Sequence, residues 1–242
     1  MKRVVIVGAT SGIGYESAKI FLQQGYIVGL AGRREENLKP LLEEYPENSY
    51  SKQIDITSPE APQLLTELIE DMGGMDIYLH VSGIGYQNIS LDQQIEMDTV
   101  KTNCLGLTQM ITTAYQYLSQ KGGGQIAVVS SIAGTKGLGI APSYSATKRY
   151  QSHYLQCLTQ LSRMRNDNIT FTDIRPGFVD TPLLRKANYP MKMRADYVAQ
   201  KLFKAVLRKK RVAIIDWKYS LLVFFWRLIP SFLWERLKIV KN

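Results

Sequence analysis

The sequence is short of cysteine and histidine, and that shortage excludes several kinds of protein. Its two cysteines, Cys104 and Cys157, lie far apart in 242 residues, which argues against a disulfide-rich fold. A redox pair or a nucleophile is one interpretation. We favour two small hydrophobic residues buried in a reducing cytoplasm. The two histidines, His80 and His153, add no spacing typical of zinc ligands, so we predict no metal site.

Long apolar runs are also missing. A membrane-spanning helix needs about 20 apolar residues, and the unbroken apolar run Leu221–Trp226 is followed by Arg227 and Pro230. The N-terminal run Val4–Val7 is too short for a signal peptide, so we expect a cytoplasmic protein. With 45% hydrophobic and 21% charged residues, the chain has the composition of a globular protein with a sizeable core.

Charge is balanced over most of the chain and unbalanced at its end. Residues 1–200 contain 19 Lys and Arg against 19 Asp and Glu, whereas residues 201–242 contain 11 basic residues against Asp216 and Glu235. The last segment therefore carries the whole net charge of +9. Such asymmetry indicates an anionic partner, either nucleic acid or a membrane surface. No nucleic-acid-binding module is recognisable, so we predict no nucleic acid partner.

Short apolar runs alternate with amphipathic helical stretches along the chain. Strands are predicted at Arg3–Val7, Tyr26–Leu30, Ser51–Ile54, Asp76–Val81, Gly124–Ser130, Ile169–Ile174 and Arg211–Ile215. Helices are predicted at Gly12–Gln24, near Glu35–Glu44, and at Pro59–Asp71, Thr99–Ser119, Ser143–Met164 and Asp196–Arg208. This alternation predicts an α/β fold of the Rossmann-like, doubly wound type. About seven parallel strands carry helices on both faces, and ligands bind at the carboxyl ends of the strands.

A glycine-rich segment, Gly8-Ala9-Thr10-Ser11-Gly12-Ile13-Gly14, joins the first predicted strand to the first predicted helix. Glycines permit a tight turn and let backbone N–H groups approach a pyrophosphate, and the helix N-terminus adds partial positive charge. The strand-loop-helix context is the one that a dinucleotide-binding loop requires. We therefore predict that a dinucleotide is bound by Gly8, Thr10, Ser11, Gly12, Ile13 and Gly14.

The end of the second predicted strand indicates which nicotinamide cofactor binds. Enzymes that use NAD place Asp or Glu there, about 20 residues after the glycines, to hold the ribose 2′-hydroxyl. This chain has Arg33 and Arg34 instead, and arginine attracts and clamps a 2′-phosphate. We favour NADP(H). NAD(H) is the alternative, because Glu35 and Glu36 follow closely.

Tyr144 and Lys148 are four residues apart on a predicted helix and so share a face. Tyrosine exchanges protons poorly at its reference pKa of about 10, and a neighbouring ammonium makes the exchange easier near neutral pH. Ser130 and Ser131 end the fifth predicted strand, where a serine hydroxyl could hold a carbonyl oxygen. Together with the glycine loop, this set indicates an oxidoreductase.

In these motifs the chain resembles the short-chain dehydrogenase/reductase family, over roughly Lys2 to Ile215. Beyond the glycine loop, the matching motifs are Asp55-Ile56-Thr57, Lys101-Thr102-Asn103-Cys104, Val129-Ser130-Ser131-Ile132-Ala133-Gly134, Tyr144-Ser145-Ala146-Thr147-Lys148 and Arg175-Pro176-Gly177-Phe178-Val179-Asp180-Thr181. Six motifs in the right order are highly specific together. Ser131 is preferred to Ser130 because it lies thirteen positions before Tyr144, a spacing common in the family.

The resemblance implies a role for each matching residue. Tyr144 donates a proton to a carbonyl oxygen while NADPH delivers hydride to the carbon, Ser131 positions that oxygen, and Lys148 binds the nicotinamide ribose and tunes Tyr144. Asn103 holds a water that relays protons. The implied catalytic residues are Asn103, Ser131, Tyr144 and Lys148. Tyr144 and Lys148 also contact the cofactor, as do Arg33, Arg34, Asp55, Ile56, Ser82, Gly83, Pro176, Gly177, Val179 and Thr181.

One motif departs from the family pattern. After the fourth strand the family usually has Asn-Asn-Ala-Gly, whereas this chain has His80-Val81-Ser82-Gly83. Gly83 is kept for close approach to the cofactor, and we interpret His80 as packed or hydrogen-bonded, not as a titrating group. We expect the change to affect sheet bracing and cofactor affinity and to leave the reaction class unchanged.

The chain changes character after Asp216. Seven aromatic residues follow a basic run at Arg208–Arg211, namely Trp217, Tyr219, Phe224, Phe225, Trp226, Phe232 and Trp234. This combination suits an anchor at a membrane surface, and a subunit interface or a lid over the substrate pocket explains it equally well. We predict a dinucleotide-binding catalytic domain, residues 1–216, and a hydrophobic, basic C-terminal appendage, residues 217–242.

The segment between Thr181 and Asp196 is where the family has its substrate loop. Apolar contacts are offered there by Pro182-Leu183-Leu184, Tyr189-Pro190-Met191 and Met193. Our leading hypothesis is a reductase of a lipid-like ketone, such as a ketosphingoid base, an acyl-glycerone or a steroid. The alternatives are a non-catalytic dinucleotide-binding sensor or scaffold at a membrane and a soluble reductase of small polar carbonyls. The resemblance also implies a homo-oligomer formed through the helices that hold Asn103 and Tyr144.

Overall fold

The computed structural model describes residues 1–184 and 191–238, and within them seven parallel strands form one sheet. Counting two short strands outside this sheet, the strands of the described residues are β1 (Arg3–Val7), β2 (Ile27–Gly32), β3 (Ser49–Gln53), β4 (Ile77–His80), β5 (Gly124–Val129), β6 (Ile169–Pro176), β7 (Val179–Asp180), β8 (Met193–Arg194) and β9 (Val212–Ile215). The sheet order is β3-β2-β1-β4-β5-β6-β9, and β7 pairs with β8 separately. The predicted fold class is confirmed.

Helices cover both faces of the sheet. They are α1 (Gly12–Gln23), α2 (Lys39–Glu44), α3 (Ala61–Asp71), α4 (Gln93–Val100), α5 (Leu107–Lys121), α6 (Pro142–Arg165), α7 (Ala195–Leu207), α8 (Trp217–Leu228) and α9 (Ser231–Trp234). Successive side chains of β1 point to opposite faces, as the pleat of a strand requires. Val4 and Ile6 belong to a core shared with α1, α7 and α8. Val5 and Val7 belong to a second core, which α3, α5 and α6 cover.

The predicted helix Thr99–Ser119 is wrong at its start. The helical segment begins at Gln93, passes through a π-helical turn at Lys101–Gly106 and ends at Lys121. Asp92 caps this start, because its carboxylate accepts a hydrogen bond from the backbone N–H of Ile95 at 3.1 Å. Residues 93–98 are exposed or half-buried, so their sequence carries no apolar periodicity from which the start could be predicted.

Other departures are smaller. Strand β2 runs two residues beyond its predicted end at Leu30, so that Arg33 follows the strand directly. The β7–β8 pair and the two helices after Asp216 were not predicted. The interpretation of Cys157 as buried is wrong, because this residue lies on the outer face of α6 and is exposed, while Cys104 is half-buried.

The C-terminal segment contributes to the core as well as to the surface. Tyr219 and Val223 on α8 are each 1% exposed and belong to the core around β1. The indole N–H of Trp234 donates to the carbonyl of Gly137 at 2.6 Å, which fastens α9 to the loop before α6. The division into residues 1–216 and 217–242 stays a prediction. Within residues 1–184 and 191–238, no helix is both long enough and apolar enough to cross a membrane.

Candidate active site

The glycine loop closes tightly at the carboxyl end of β1. The backbone N–H groups of Gly8 and Ala9 both donate to the carbonyl of Ala31, at 2.8 and 3.0 Å. Gly8 has a φ of +95°, and a Cβ there would lie 2.6 Å from the backbone nitrogen of Ser82. A Cβ on Gly14 would lie 2.0 Å from the carbonyl oxygen of Gly8. Glycine is therefore required at both positions for α1 to start so close to the sheet.

A cleft opens beside this loop at the carboxyl ends of β1, β2 and β4, where an open α/β sheet binds ligands. Twelve of the predicted cofactor-binding residues line it, namely Gly8, Thr10, Ser11, Gly12, Ile13, Arg33, Arg34, Asp55, Ile56, Ser82, Gly83 and Thr181. Gly14 is not among these lining residues and instead packs against the Gly8 carbonyl of the loop. A glycine cradle at a helix N-terminus with two arginines beside it fits a phosphate-bearing dinucleotide.

Arg33 and Arg34 line the cleft at the end of β2. The guanidinium of Arg34 donates to the hydroxyl of Ser11 at 3.0 Å, which holds it across the cleft. Arg33 is exposed at the cleft wall. The carboxylate of Glu35 accepts from the Ser51 hydroxyl at 2.5 Å and so points toward β3. Glu35 is thus engaged away from the position that a ribose 2′-hydroxyl would take.

Asp55 stands at the opposite wall of the cleft. Its carboxylate accepts from the backbone N–H and the hydroxyl of Thr57, at 2.9 and 2.8 Å. Burial alone would raise the pKa of Asp55, but the two hydrogen bonds and the nearby Arg33 hold it below its ordinary value. Asp55 is therefore an ionised acceptor in a fixed orientation.

Tyr144 and Lys148 lie on the first turns of α6, with the Lys148 ammonium 5.8 Å from the centroid of the Tyr144 ring. The ammonium is buried, and it donates to the carbonyl of Val129 at 3.0 Å and to the side-chain oxygen of Gln151 at 2.9 Å. Burial lowers the pKa of Lys148 to about 8, although the charge of Asp173 acts in the opposite direction. Lys148 is thus poised to change charge just above neutral pH.

Asn103 lies in the π-helical turn and is fully buried. Its side chain accepts from the backbone N–H of Ile84 at 2.9 Å and donates to the Ile84 carbonyl at 2.7 Å and to the Thr147 hydroxyl at 3.1 Å. A Cβ on Gly83 would lie 3.1 Å from the Asn103 side-chain oxygen and 3.5 Å from the Lys148 nitrogen. The missing side chain at Gly83 therefore lets Asn103 and Lys148 converge. A relay water at Asn103 stays a prediction.

The two adjacent serines after β5 have different surroundings. The Ser131 hydroxyl oxygen accepts from the backbone N–H of Ala133 at 3.1 Å and lies 3.5 Å from the Pro176 carbonyl. The Ser130 hydroxyl donates to the carboxylate of Asp173, which Arg175 also binds through its Nε at 2.8 Å. Ser130 is thus part of a buried hydrogen-bond network with Asp173 and Arg175. This geometry favours Ser131 as the substrate-facing serine, which stays a prediction.

His80 is packed and hydrogen-bonded, as the sequence analysis predicts. Its ring is 1% exposed, and its Nδ1 lies 2.8 Å from the hydroxyl of Tyr78. Burial, followed by the positive charge of Lys148, lowers the pKa of His80 to about 3. The ring is therefore neutral at physiological pH and is packed at the end of β4.

The C-terminal segment covers part of the motif Arg175–Thr181, which the family resemblance places at the cofactor. A Cβ on Gly177 would lie 2.2 Å from the ring of Tyr219 on α8. The Tyr219 hydroxyl accepts from the backbone N–H of Phe178 at 3.1 Å and donates to the carbonyl of Met191 at 3.0 Å. Sequence reasoning missed Tyr219, whose cluster of aromatic neighbours gave no sign of which ring turns inward.

The predicted substrate loop is described in part. Leu183 lines the cleft, and Met191 is half exposed at 47%. Met193 packs in the core through β8 at 9% exposure. Tyr189 and Pro190 lie outside the described residues. On the other side of the loop, the backbone at Gly12 approaches Thr181, since a Cβ on Gly12 would lie 3.0 Å from the Thr181 methyl group.

The chain that forms this site matches a known protein family. The model of the short chain dehydrogenase family matches residues 2–192, and the chain belongs to that family. It is therefore an oxidoreductase of the class that binds a nicotinamide dinucleotide and acts on small molecules.

Relatives agree with this assignment, and solved structures share the fold. Dehydrogenase/reductase SDR family member 7B of Xenopus tropicalis is 29% identical over 254 residues, covering 94% of this chain and 82% of the relative. An uncharacterized oxidoreductase of Staphylococcus haemolyticus is 30% identical over 197 residues, covering 79% and 84%. The alcohol dehydrogenase of the archaeon Thermococcus sibiricus, complexed with 5-hydroxy-NADP, has a TM-score of 0.77 at 23% identity and covers 89% of this chain and 95% of its own. A short-chain type dehydrogenase/reductase from Mycobacterium marinum has a TM-score of 0.78 at 20% identity.

Proposed function

We propose that the protein is an NADP(H)-dependent reductase of a carbonyl on a hydrophobic, lipid-like substrate, or the dehydrogenase of the matching alcohol. The observation that carries the proposal is the convergence of Asn103, Tyr144 and Lys148 beside the glycine-loop cleft. The Thermococcus relative complexed with 5-hydroxy-NADP supports the choice of cofactor by analogy. A cytoplasmic enzyme that meets membranes at their surface fits this function.

The residues divide the chemistry as follows. NADPH, when bound in the cleft, supplies a hydride to the carbonyl carbon. Tyr144 gives a proton to the carbonyl oxygen, and Ser131 holds that oxygen by a hydrogen bond. Lys148 stabilises negative charge on the Tyr144 oxygen and holds a ribose hydroxyl. Because the Lys148 pKa is about 8, the rate of carbonyl reduction should fall as pH rises through this value and the ammonium loses its charge.

The choice of NADP(H) over NAD(H) is tested at Arg33. We expect Arg33→Ala to weaken NADPH binding by about 10-fold or more, since a hydrogen bond to a charged group contributes about 1.5–3 kcal/mol. NADH lacks the 2′-phosphate, so its binding should change less than about 3-fold by the same reasoning. Fluorescence titration of both cofactors against wild type and variant measures the two effects.

The control is Arg149→Ala, at an exposed arginine on α6. Arg175 is not used because it pairs with the buried Asp173. Arg149→Ala should leave both affinities unchanged. Equal or tighter binding of NADH by the wild type would contradict the assignment of NADP(H). If neither cofactor bound, the proposed hydride transfer, in either direction, would be contradicted.

The C-terminal segment supports a second part of the proposal, contact with an anionic membrane surface. Helix α8 buries one face against the core, and its opposite face is also apolar. Eight residues of α8, α9 and the following turn are between 45% and 68% exposed, namely Trp217, Leu221, Phe224, Phe225, Leu228, Phe232, Leu233 and Leu237. Exposed apolar patches of this kind mark interaction sites.

A basic groove lies next to this apolar face. It has a volume of about 590 Å³ and is lined by Lys201, Lys204, Arg208 and Lys210 together with Trp217 and Ser220 of α8. Asp216 is the one carboxylate among its described lining residues, and it accepts from the Tyr197 hydroxyl at 2.6 Å. Cations beside exposed aromatic rings match a surface that offers both lipid phosphates and acyl chains.

Cosedimentation with lipid vesicles tests this contact. We expect the wild type to bind phosphatidylserine-rich vesicles, and the double change Phe224→Ser with Phe225→Ser to lower that binding by about 10-fold or more, because each buried aromatic contributes about 1.5–3 kcal/mol. Lys204→Glu with Arg208→Glu should abolish the preference for anionic over phosphatidylcholine vesicles. Met164→Ser, at a 74% exposed position on α6, is the matched control.

The same tail variants also distinguish membrane contact from subunit contact. We propose that a homo-oligomer forms through α4, the π-helical turn, α5 and α6, where Met97, Leu105 and Leu161 are exposed. The tail variants should therefore keep the oligomeric state of the wild type in light scattering. Vesicle binding equal to that of the wild type, or dissociation of the oligomer in the Phe224/Phe225 variant, would contradict the membrane assignment and favour the tail as a subunit interface.

A further inference from the structure

Gln151 is a fully buried amide that the proposed mechanism does not use. It lies on α6 three residues after Lys148 and is 0% exposed. Its side-chain oxygen accepts from the Lys148 ammonium at 2.9 Å, and its side-chain N–H donates to the backbone carbonyl of Asn103 at 3.0 Å. One side chain therefore connects the lysine on α6 to the π-helical turn that holds Asn103.

The donors of Lys148 can be counted. An ammonium has three N–H donors and no acceptor. Two of them point to the carbonyl of Val129 and to the amide oxygen of Gln151. One donor is then left for a ribose hydroxyl, and none is left for a water between Lys148 and Asn103.

An amide also differs from water in what it can transmit. The Gln151 amide accepts on one side and donates on the other, so it can orient Lys148 as firmly as a bound water. A neutral amide has no titrating proton near neutral pH, and it does not pass protons along a chain as water does. In this chain the connection from Asn103 to Lys148 therefore orients the ammonium and does not carry protons.

We propose that Gln151 is a positioning residue that takes the place of the relay water predicted at Asn103 and fixes the Lys148 ammonium beside Tyr144. This inference rests on the proposed function for its catalytic meaning, whereas its structural part concerns the protein without cofactor. The π-helical turn, a form common at functional sites, presents the Asn103 carbonyl to the amide.

Three substitutions of Gln151 test the proposal, because each is expected to change the titration midpoint of Lys148 differently. Gln151→Met keeps the length of the side chain and removes both hydrogen bonds. Gln151→Ala leaves room for a water, which can reconnect Lys148 to Asn103. Gln151→Glu places a negative charge against the ammonium. The exposed Gln156 on the same helix provides the control, Gln156→Met.

The first readout is the titration of Lys148 in the protein without cofactor, followed by NMR of ¹³C-labelled lysine and assigned with Lys148→Met. The Met variant removes an acceptor of the charged form, so we expect the Lys148 midpoint to fall by about one to two pH units. In the Ala variant the midpoint should return to within about half a unit of the wild type, because water replaces the acceptor. In the Glu variant it should rise.

The second readout is the pH dependence of kcat with NADPH. The alkaline limb should move in the same order as the NMR midpoint, with kcat about 10-fold lower in the Met variant and largely recovered in the Ala variant. An unchanged midpoint in the Met and Glu variants would overturn the proposal, as would equal losses in Met and Ala that follow only thermal stability. If the protein reduces no carbonyl, the NMR result still decides the structural role, so the two failures are distinguishable.

Discussion

Replacing Tyr144 by phenylalanine is expected to lower kcat for carbonyl reduction by about 10²- to 10⁴-fold, the usual contribution of a general acid. The change removes the hydroxyl and keeps the ring. That ring packs against the backbone of Gly85, where a Cβ would lie 2.4 Å from it, so the phenyl group should hold the same position. Steady-state kinetics with NADPH and a panel of hydrophobic ketones measure the loss.

Two further variants separate loss of the acid from loss of the site. Tyr150→Phe, on the same helix with a hydroxyl 2.6 Å from that of Thr108, should keep full activity. Lys148→Met should lower kcat and also weaken NADPH binding, whereas Tyr144→Phe should change NADPH binding by no more than about 10-fold, since one peripheral hydrogen bond contributes about 0.5–1.5 kcal/mol. If Tyr144→Phe retains wild-type kcat, then Tyr144 is not the acid. A wild type that binds NADPH and reduces none of the panel would favour the sensor or scaffold.

Those parts of the fold that depend on local patterns could be predicted from the sequence. The apolar run Val4–Val7 faces both cores, and its hydrophobicity signals a central parallel strand. Gly8 and Gly14 stand where any Cβ would collide with backbone, so the glycine spacing reports the loop directly. The spacing of Tyr144 and Lys148 is fixed by the turn of one helix.

The rest depends on contacts between distant segments, which leave no periodic signal. Gln151 gains its meaning from the carbonyl of Asn103, 48 residues away, and a lone glutamine after Lys148 predicts nothing. The start of α4 rests on the capping side chain of Asp92, because the first turns of that helix bury little. Tyr219 and Phe224 look alike in sequence, and only the packing of α8 decides that one is buried and the other exposed.

The contact between Gly177 and Tyr219 carries the second large effect. We expect Gly177→Ala to destabilise the fold by about 1–3 kcal/mol, since overpacking a filled core costs about that much. Gly177 does not have a positive φ, so an alanine meets no backbone strain there, and the collision with the Tyr219 ring is the cause. Tyr219→Ala should cost about 3–5 kcal/mol, as for other buried aromatics. Chemical denaturation measures both free energies of unfolding.

The double variant decides whether the C-terminal segment is part of the site. Removing the Tyr219 ring makes room for a methyl group at Gly177, so the double variant should be more stable than the sum of the single effects predicts, by about 1–3 kcal/mol. Tyr219→Phe, which loses the hydrogen bonds to Phe178 and Met191 but keeps the ring, should not relieve the collision. Additive effects would contradict the contact. A coupled pair whose single variants also lose NADPH affinity would place α8 in the wall that shapes the nicotinamide side of the cleft. The same helix would then present its outer face to a membrane and its inner face to the reaction.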